Sequence, residues 1–151
     1  MIDLSKLWKM RTIMPVITVD CFSGKVIMLG YMNKEAFAYT LKTHKVFYCD
    51  ASGHNAKMKG EHSGDIQILK SVKADVDYKN LLITVEQVGN ACHSDGGHST
   101  YFIHNILGGD DEDISKRDKF GRVEVDEDFD FSKDDYNDEF EDEYDDEYDD
   151  E

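Results

Sequence analysis

Two apolar, β-branched runs open the chain's patterned part, residues 15–20 (PVITVD) and 25–32 (KVIMLGYM), with Cys21, Phe22, Ser23 and Gly24 between them. A glycine-bearing turn between two strand-like runs predicts a β-hairpin. The period then changes. Across residues 34–45, Ala36, Phe37, Thr40 and Leu41 fall on one face at helical spacing, and Asn33 stands where an N-cap belongs. Residues 46–50 (VFYCD) predict a strand, and residues 51–65 a polar loop. Residues 66–77 and 81–88 alternate again and predict a second hairpin, while 99–106 (STYFIHNI) predict a last strand. Residues 4–10 form a short amphipathic opening of weak helical character, and Gly108 with Gly109 marks the end of the body. The pattern is that of one small α+β domain, two β-hairpins and further strands around one main helix.

Charge divides the chain where the pattern stops. Twelve basic against ten acidic side chains leave residues 1–109 at +2, and five against 23 leave residues 110–151 at −18. The second part has few aliphatics and a dense like-charge run, so it is expected to be a disordered acidic tail. Its Tyr136, Phe140, Tyr144 and Tyr148 recur every four residues. That spacing also fits a segment that folds when it docks its aromatics on a basic protein partner. Its sign argues against direct nucleic-acid binding by the tail. Three cysteines, an odd number with no secretory signal or long apolar span before them, predict free thiols in a cytoplasmic protein without a membrane segment.

Most side chains able to do chemistry fall in two predicted loops, 51–65 and 89–98. The second packs Cys92, His93, Asp95 and His98 around Gly96 and Gly97. Such a cluster suits a metal ion. It equally suits a polar turn in which His98 caps and Cys92 is a small buried residue. Asp75 and Asp77, two apart in an alternating run, share a strand face and need no ligand at all on that reading.

The order of motifs is recognisable. "IMPVITVD", "YMN" with its helix, "KGExSG" as Lys59, Gly60, Glu61, Ser63 and Gly64, and "VEQxGxACH" ending at Cys92 and His93 together resemble the phosphoribosyl-AMP cyclohydrolase family of histidine biosynthesis. The resemblance runs from about Ile13 to Phe102 and leaves the acidic tail outside. It implies attack of a metal-activated water on the purine ring of N1-phosphoribosyl-AMP, opening it between N1 and C6. It implies zinc held by three cysteines from two subunits of a homodimer, with the site at the interface. It also implies magnesium on an aspartate cluster written D-x-D-x-D.

Carried over residue by residue, the resemblance meets departures. Asp75 and Asp77 match the aspartate cluster, but Lys79 stands at its third position. Val76 occupies the place of the first zinc cysteine, Cys92 keeps the second, and the third falls near Ser99 or Thr100. His98 lies close to that lost thiol and is a candidate replacement, with His93, His62 or Asp77 completing the set. His93 and Glu61 are the candidates for moving the proton. The family's arginines are missing, none occurring in residues 13–109, which leaves Lys57, Lys59 and His54, with Ser63, as candidate substrate-binding groups. Three readings follow: a metallohydrolase with a rebuilt site, a non-catalytic nucleotide-binding homologue, and an interaction protein working through its acidic tail.

Overall fold

The computed structural model describes residues 4–9 and 11–107. The acidic segment 110–151, with its expected disorder and aromatic docking face, and the Gly108–Gly109 boundary lie outside the described residues. Strand β1 (Ile13–Asp20) and strand β2 (Val26–Asn33) pair antiparallel from Ile13↔Asn33 onward, with a bulge between Thr18 and Val19. The turn between them closes on Asp20, whose carboxylate accepts the backbone N–H (2.8 Å) and hydroxyl (2.7 Å) of Ser23. These bonds hold its pKa below the ordinary value. Helix α1 (Lys34–Thr43) starts where Asn33 accepts the Ala36 N–H at 2.7 Å and ends at His44, which is left-handed. It buries Ala36, Phe37 and Thr40, the face expected from their spacing, while Leu41 is partly buried against the core. The opening residues make only one 3-10 turn, Leu4–Lys6, after which Trp8 packs edge-on against Phe37 at 5.5 Å.

Strand β3 (Phe47–Tyr48) pairs with β4 (Lys57–Met58), a short strand inside what the polar pattern marks as loop. Asp50 folds the intervening residues back: its carboxylate accepts the N–H groups of Ser52 and His54, the Ser52 hydroxyl and the Asn55 amide. Strands β5 (Gln67–Ala74) and β6 (Leu81–Gln87) form the second hairpin. The main sheet runs β2-β1-β6-β5, and β1 meets β6 in parallel, Val16↔Leu81 to Asp20↔Val85. Both hairpins bury one face, with Met14 and Val16 on β1, Met28 and Met32 on β2, and Leu81, Ile83 and Val85 on β6. Helix α1 and β3 lie against β2.

Two expectations change. Residues 99–106 form no strand. The Thr100 hydroxyl donates toward the carbonyls of Val26 and Ile27 (2.9 and 3.1 Å), and the Tyr101 N–H bonds Ile27 at 2.8 Å. A side chain thus takes the place of the next ladder bond, so pairing with β2 stops after one contact and Ile106 is left 94% exposed. Strand β5 ends at Ala74, so Asp75 and Asp77 lie in a turn rather than on a strand face.

A chain of polar side chains crosses the core. Thr18 Oγ1 meets Tyr48 Oη at 2.6 Å, Tyr48 Oη meets Gln67 Oε1 at 2.6 Å, and Gln67 Nε2 meets Gln87 Oε1 at 2.9 Å. The amide oxygen of Gln67 only accepts, so Tyr48 donates to it and Thr18 must donate to Tyr48. Gln87 Nε2 then donates to the carbonyls of Asp65 (3.1 Å) and Val88 (2.9 Å). Gly30 leaves room for this relay, since a Cβ there would stand 2.7 Å from the Tyr48 ring.

Candidate active site

The two chemistry-bearing loops meet at the end of the sheet where Gln67 faces Gln87. Residues 59–65 arrive there through a tight reversal at Gly60 (φ +78°), where a Cβ would lie 2.4 Å from the Asp65 carbonyl. The other loop leaves β6 at Gly89 (φ +67°), where a Cβ would lie 2.1 Å from Asp65 Oδ1. Asp65 therefore fits only between two glycines that are also left-handed. Its other carboxylate oxygen is 3.2 Å from Nε2 of His93.

Residues 92–98 close on themselves. The Cys92 N–H bonds the His98 carbonyl at 3.1 Å and the His98 N–H bonds the Cys92 carbonyl at 2.8 Å, around a turn at Ser94–Gly96. A doubly bonded antiparallel pair puts both side chains on the same side, with Cα atoms about 5.5 Å apart. Cys92 is buried, and the His98 Nε2 atom is buried with no hydrogen-bond partner among the described residues. A soft thiol and an imidazole whose Nε2 lacks a partner thus stand on the same side of one bridge.

The remaining predicted residues separate. Glu61 lies beside His62 at 3.3 Å, both well exposed. Lys59 is buried, 4% exposed, and donates to the phenol oxygen of Tyr101, over whose ring it sits at 4.9 Å. It is a wall of the site rather than an open cation. Lys57 lies on β4, half-buried. His54 Nδ1 contacts Ser52 Oγ at 2.9 Å, within the turn centred on Asp50. Burial pushes the Asp50 pKa up, but the hydroxyl, N–H and amide donors around it outweigh that and hold it below the ordinary value. Ser63 Oγ accepts the Asp65 N–H at 3.1 Å.

Asp75 and Asp77 stand at the far tip of the second hairpin, about 20 Å along β6 from Gln87 at strand rise. The Asn80 amide (2.6 Å) and the N–H groups of Lys79 (2.7 Å) and Asn80 (3.3 Å) bind the Asp75 carboxylate and lower its pKa. Val76 beside it is 91% exposed. Among the described residues no three His, Cys, Asp or Glu side chains gather to hold a metal. Burial pushes the Cys49 thiol up to about 11. Sequence reasoning missed Asp65 and Tyr101. The signal for Asp65 was its place after the second glycine of "KGExSG", while Tyr101 was hidden inside a predicted strand.

Comparison with known proteins decides what this arrangement belongs to. A family model described as phosphoribosyl-AMP cyclohydrolase matches residues 28–102. A phosphoribosyl-AMP cyclohydrolase of Streptococcus mutans is 45% identical over 103 residues, which cover 68% of this chain and 94% of the relative. The chain belongs to the phosphoribosyl-AMP cyclohydrolase family. The phosphoribosyl-AMP cyclohydrolase of Clostridium botulinum is 41% identical over 63% of this chain and 84% of its own length. The histidine biosynthesis bifunctional protein HisIE of Thermoanaerobacter pseudethanolicus is 39% identical over 71% of this chain and 49% of its own length. The stretch matched by the family model runs from β2 to the exit of the 92–98 loop, so it contains both loops of the site. No helix among the described residues of this cyclohydrolase-family chain is long and apolar enough to cross a membrane.

Proposed function

We propose that the chain is a phosphoribosyl-AMP cyclohydrolase-type hydrolase that opens a purine-type ring of a nucleotide at a rebuilt metal site. The observation that carries this reading is the facing pair of Cys92 and His98, with the His98 nitrogen buried and unsatisfied. One thiolate and one imidazole suit zinc, and a zinc site that works on water needs a third protein ligand and an open position. When bound, zinc supplies the positive charge that makes water acidic near neutral pH. Cys92 and His98 would hold the ion, and the ligand count within one protomer calls for a second chain. A row of apolar side chains on the sheet face opposite the core supports a homodimer: Leu29, Ile17 and Leu82 are cross-strand partners and 49%, 39% and 38% exposed.

His93, half-exposed beside Cys92, is the proton carrier: its imidazole takes a proton from the attacking water and returns it to the ring nitrogen as the C–N bond breaks. Glu61, turned toward His62, is the second candidate. Lys57 supplies positive charge for the substrate's phosphates, whereas the turn at residues 50–55 is centred on a carboxylate and opposes them. Asp75 is engaged by its own turn and Lys79 stands beside it, so no step is assigned to magnesium.

Incubating the purified full-length chain with N1-phosphoribosyl-AMP and following ring opening by absorbance tests the reading, with zinc measured in parallel. Stoichiometric zinc and turnover, both lost in Cys92→Ser and in His98→Ala, are expected. Turnover retained in both variants would sink the metal assignment. A second reading, nucleotide binding without turnover, is favoured by the ligand count, since no three metal-binding side chains gather among the described residues; saturable binding with no ring opening would establish it.

A further inference from the structure

We propose that Asp65 is a positioning residue for His93, fixing which imidazole nitrogen carries the proton. This rests on the reading of His93 as the proton carrier. The Asp65 carboxylate stands 3.2 Å from His93 Nε2 and is far from a loose surface anion. Its own N–H is held by Ser63 Oγ (3.1 Å), its carbonyl by Gln87 Nε2 (3.1 Å), and its Oδ1 occupies the niche that Gly89 leaves by having no Cβ. The backbone behind it presses on Gly60. Four restraints from two motifs thus converge on one residue.

The chemistry follows from donor and acceptor inventories. An ionised carboxylate only accepts, and a neutral imidazole carries one N–H. A carboxylate facing Nε2 therefore places the hydrogen there and leaves the lone pair on Nδ1, the nitrogen that must take the proton. The same carboxylate keeps the ring from rotating between uptake and return of that proton, and it faces the charge that forms when the ring is protonated. Nor does the pair look like a stabilising device. Its side chains are 45% and 24% exposed, and ion pairs in such settings add little to stability. What it contributes is orientation, the role that carboxylates play behind histidines in metal and triad sites.

The test uses the full-length chain labelled with ¹⁵N-histidine, at one pH where the imidazole is neutral, with His93 assigned by comparison with His93→Gln. In the unsubstituted chain a hydrogen-bonded Nε2–H signal is expected for His93. Asp65→Asn keeps the shape and packing and should abolish or broaden that signal. It should also lower kcat about 10–100-fold with little change in KM. Asp65→Ala should do both, with a urea midpoint close to the parent's. Ring signals of His93 that are unchanged in both variants overturn the assignment, whatever turnover shows. Absence of turnover in the unsubstituted chain overturns the cyclohydrolase reading alone, because the spectrum needs no substrate.

Discussion

Replacing Tyr48 by Phe removes one oxygen from the middle of the buried relay and leaves the ring in place. The structure fixes what that oxygen does: it accepts from Thr18 at 2.6 Å and donates to Gln67 Oε1 at 2.6 Å. Thr18 and Gln67 are both 0% exposed, so water cannot take over either contact. The Gln67 amide keeps its bond to Gln87, but its oxygen loses its donor, and the Thr18 hydroxyl loses its acceptor. At roughly 1–3 kcal/mol for each of the two buried polar groups left unsatisfied, Tyr48→Phe should destabilise the chain by about 2–6 kcal/mol. Urea unfolding is the assay, and the midpoint should fall with the m-value unchanged. Adding Thr18→Val removes the orphaned hydroxyl, so the double variant should be more stable than the sum of the singles predicts, by about 1 kcal/mol. A loss under about 0.5 kcal/mol for Tyr48→Phe, within the range of an ordinary surface change, would refute the relay. Strict additivity of the pair would refute the contact between Thr18 and Tyr48.

Gly30→Ala places a Cβ 2.7 Å from the Tyr48 ring and should cost about 1–3 kcal/mol in the same assay through overpacking. The Cys49 thiol, pushed up by burial from 9.0 to about 11, stays neutral in the folded chain. Iodoacetamide at pH 8 should therefore label Cys21 while Cys49 stays unmodified until urea is added. The raised value also means that stability is complete below about 9 and declines as pH rises toward about 11. Asp50 has the opposite sign. With its folded value held below 3.8, it contributes stability above that pH and loses it as pH falls through the folded value. Urea midpoints at pH 6 and pH 3 should differ less in Asp50→Asn than in the parent chain.

Local rules carried much of the fold. The alternating runs on either side of residues 21–24 and 78–80 gave both hairpins, and the Asn33 side chain sits on the Ala36 N–H as an N-cap should. The parallel join of β1 to β6 was invisible because nothing in a hairpin's pattern says which neighbour its free edge will take. Strand β4 was masked by the polar turn before it, whose order comes from one carboxylate, Asp50, binding four donors. Residues 99–106 misled because Thr, Tyr, Phe and Ile favour strands, yet a strand also needs a continuing edge, and the Thr100 hydroxyl ends it. At the site, the spacing of Cys92 and His98 around two glycines was legible as a cluster, and the structure pairs them. The burial of Lys59 was not, since a lysine in a loop is ordinarily solvated, whereas this one is held inside against the Tyr101 phenol. The approach of Asp65 to His93 joins residues 28 positions apart, with no periodicity to announce it.

The relay from Thr18 ends on main-chain carbonyls at residues 65, 66 and 88 rather than on any side chain of the two loops. Every amino acid carries the same carbonyl, so the grip on the loops is indifferent to which side chains they display. A chain built this way can exchange one ligand for another, or a cation for a neutral group, without forfeiting the frame that aims them. Chemistry can drift here while architecture stands still. Such a division lets a loop keep its path with histidine at position 98, held from behind by bonds that any residue could accept.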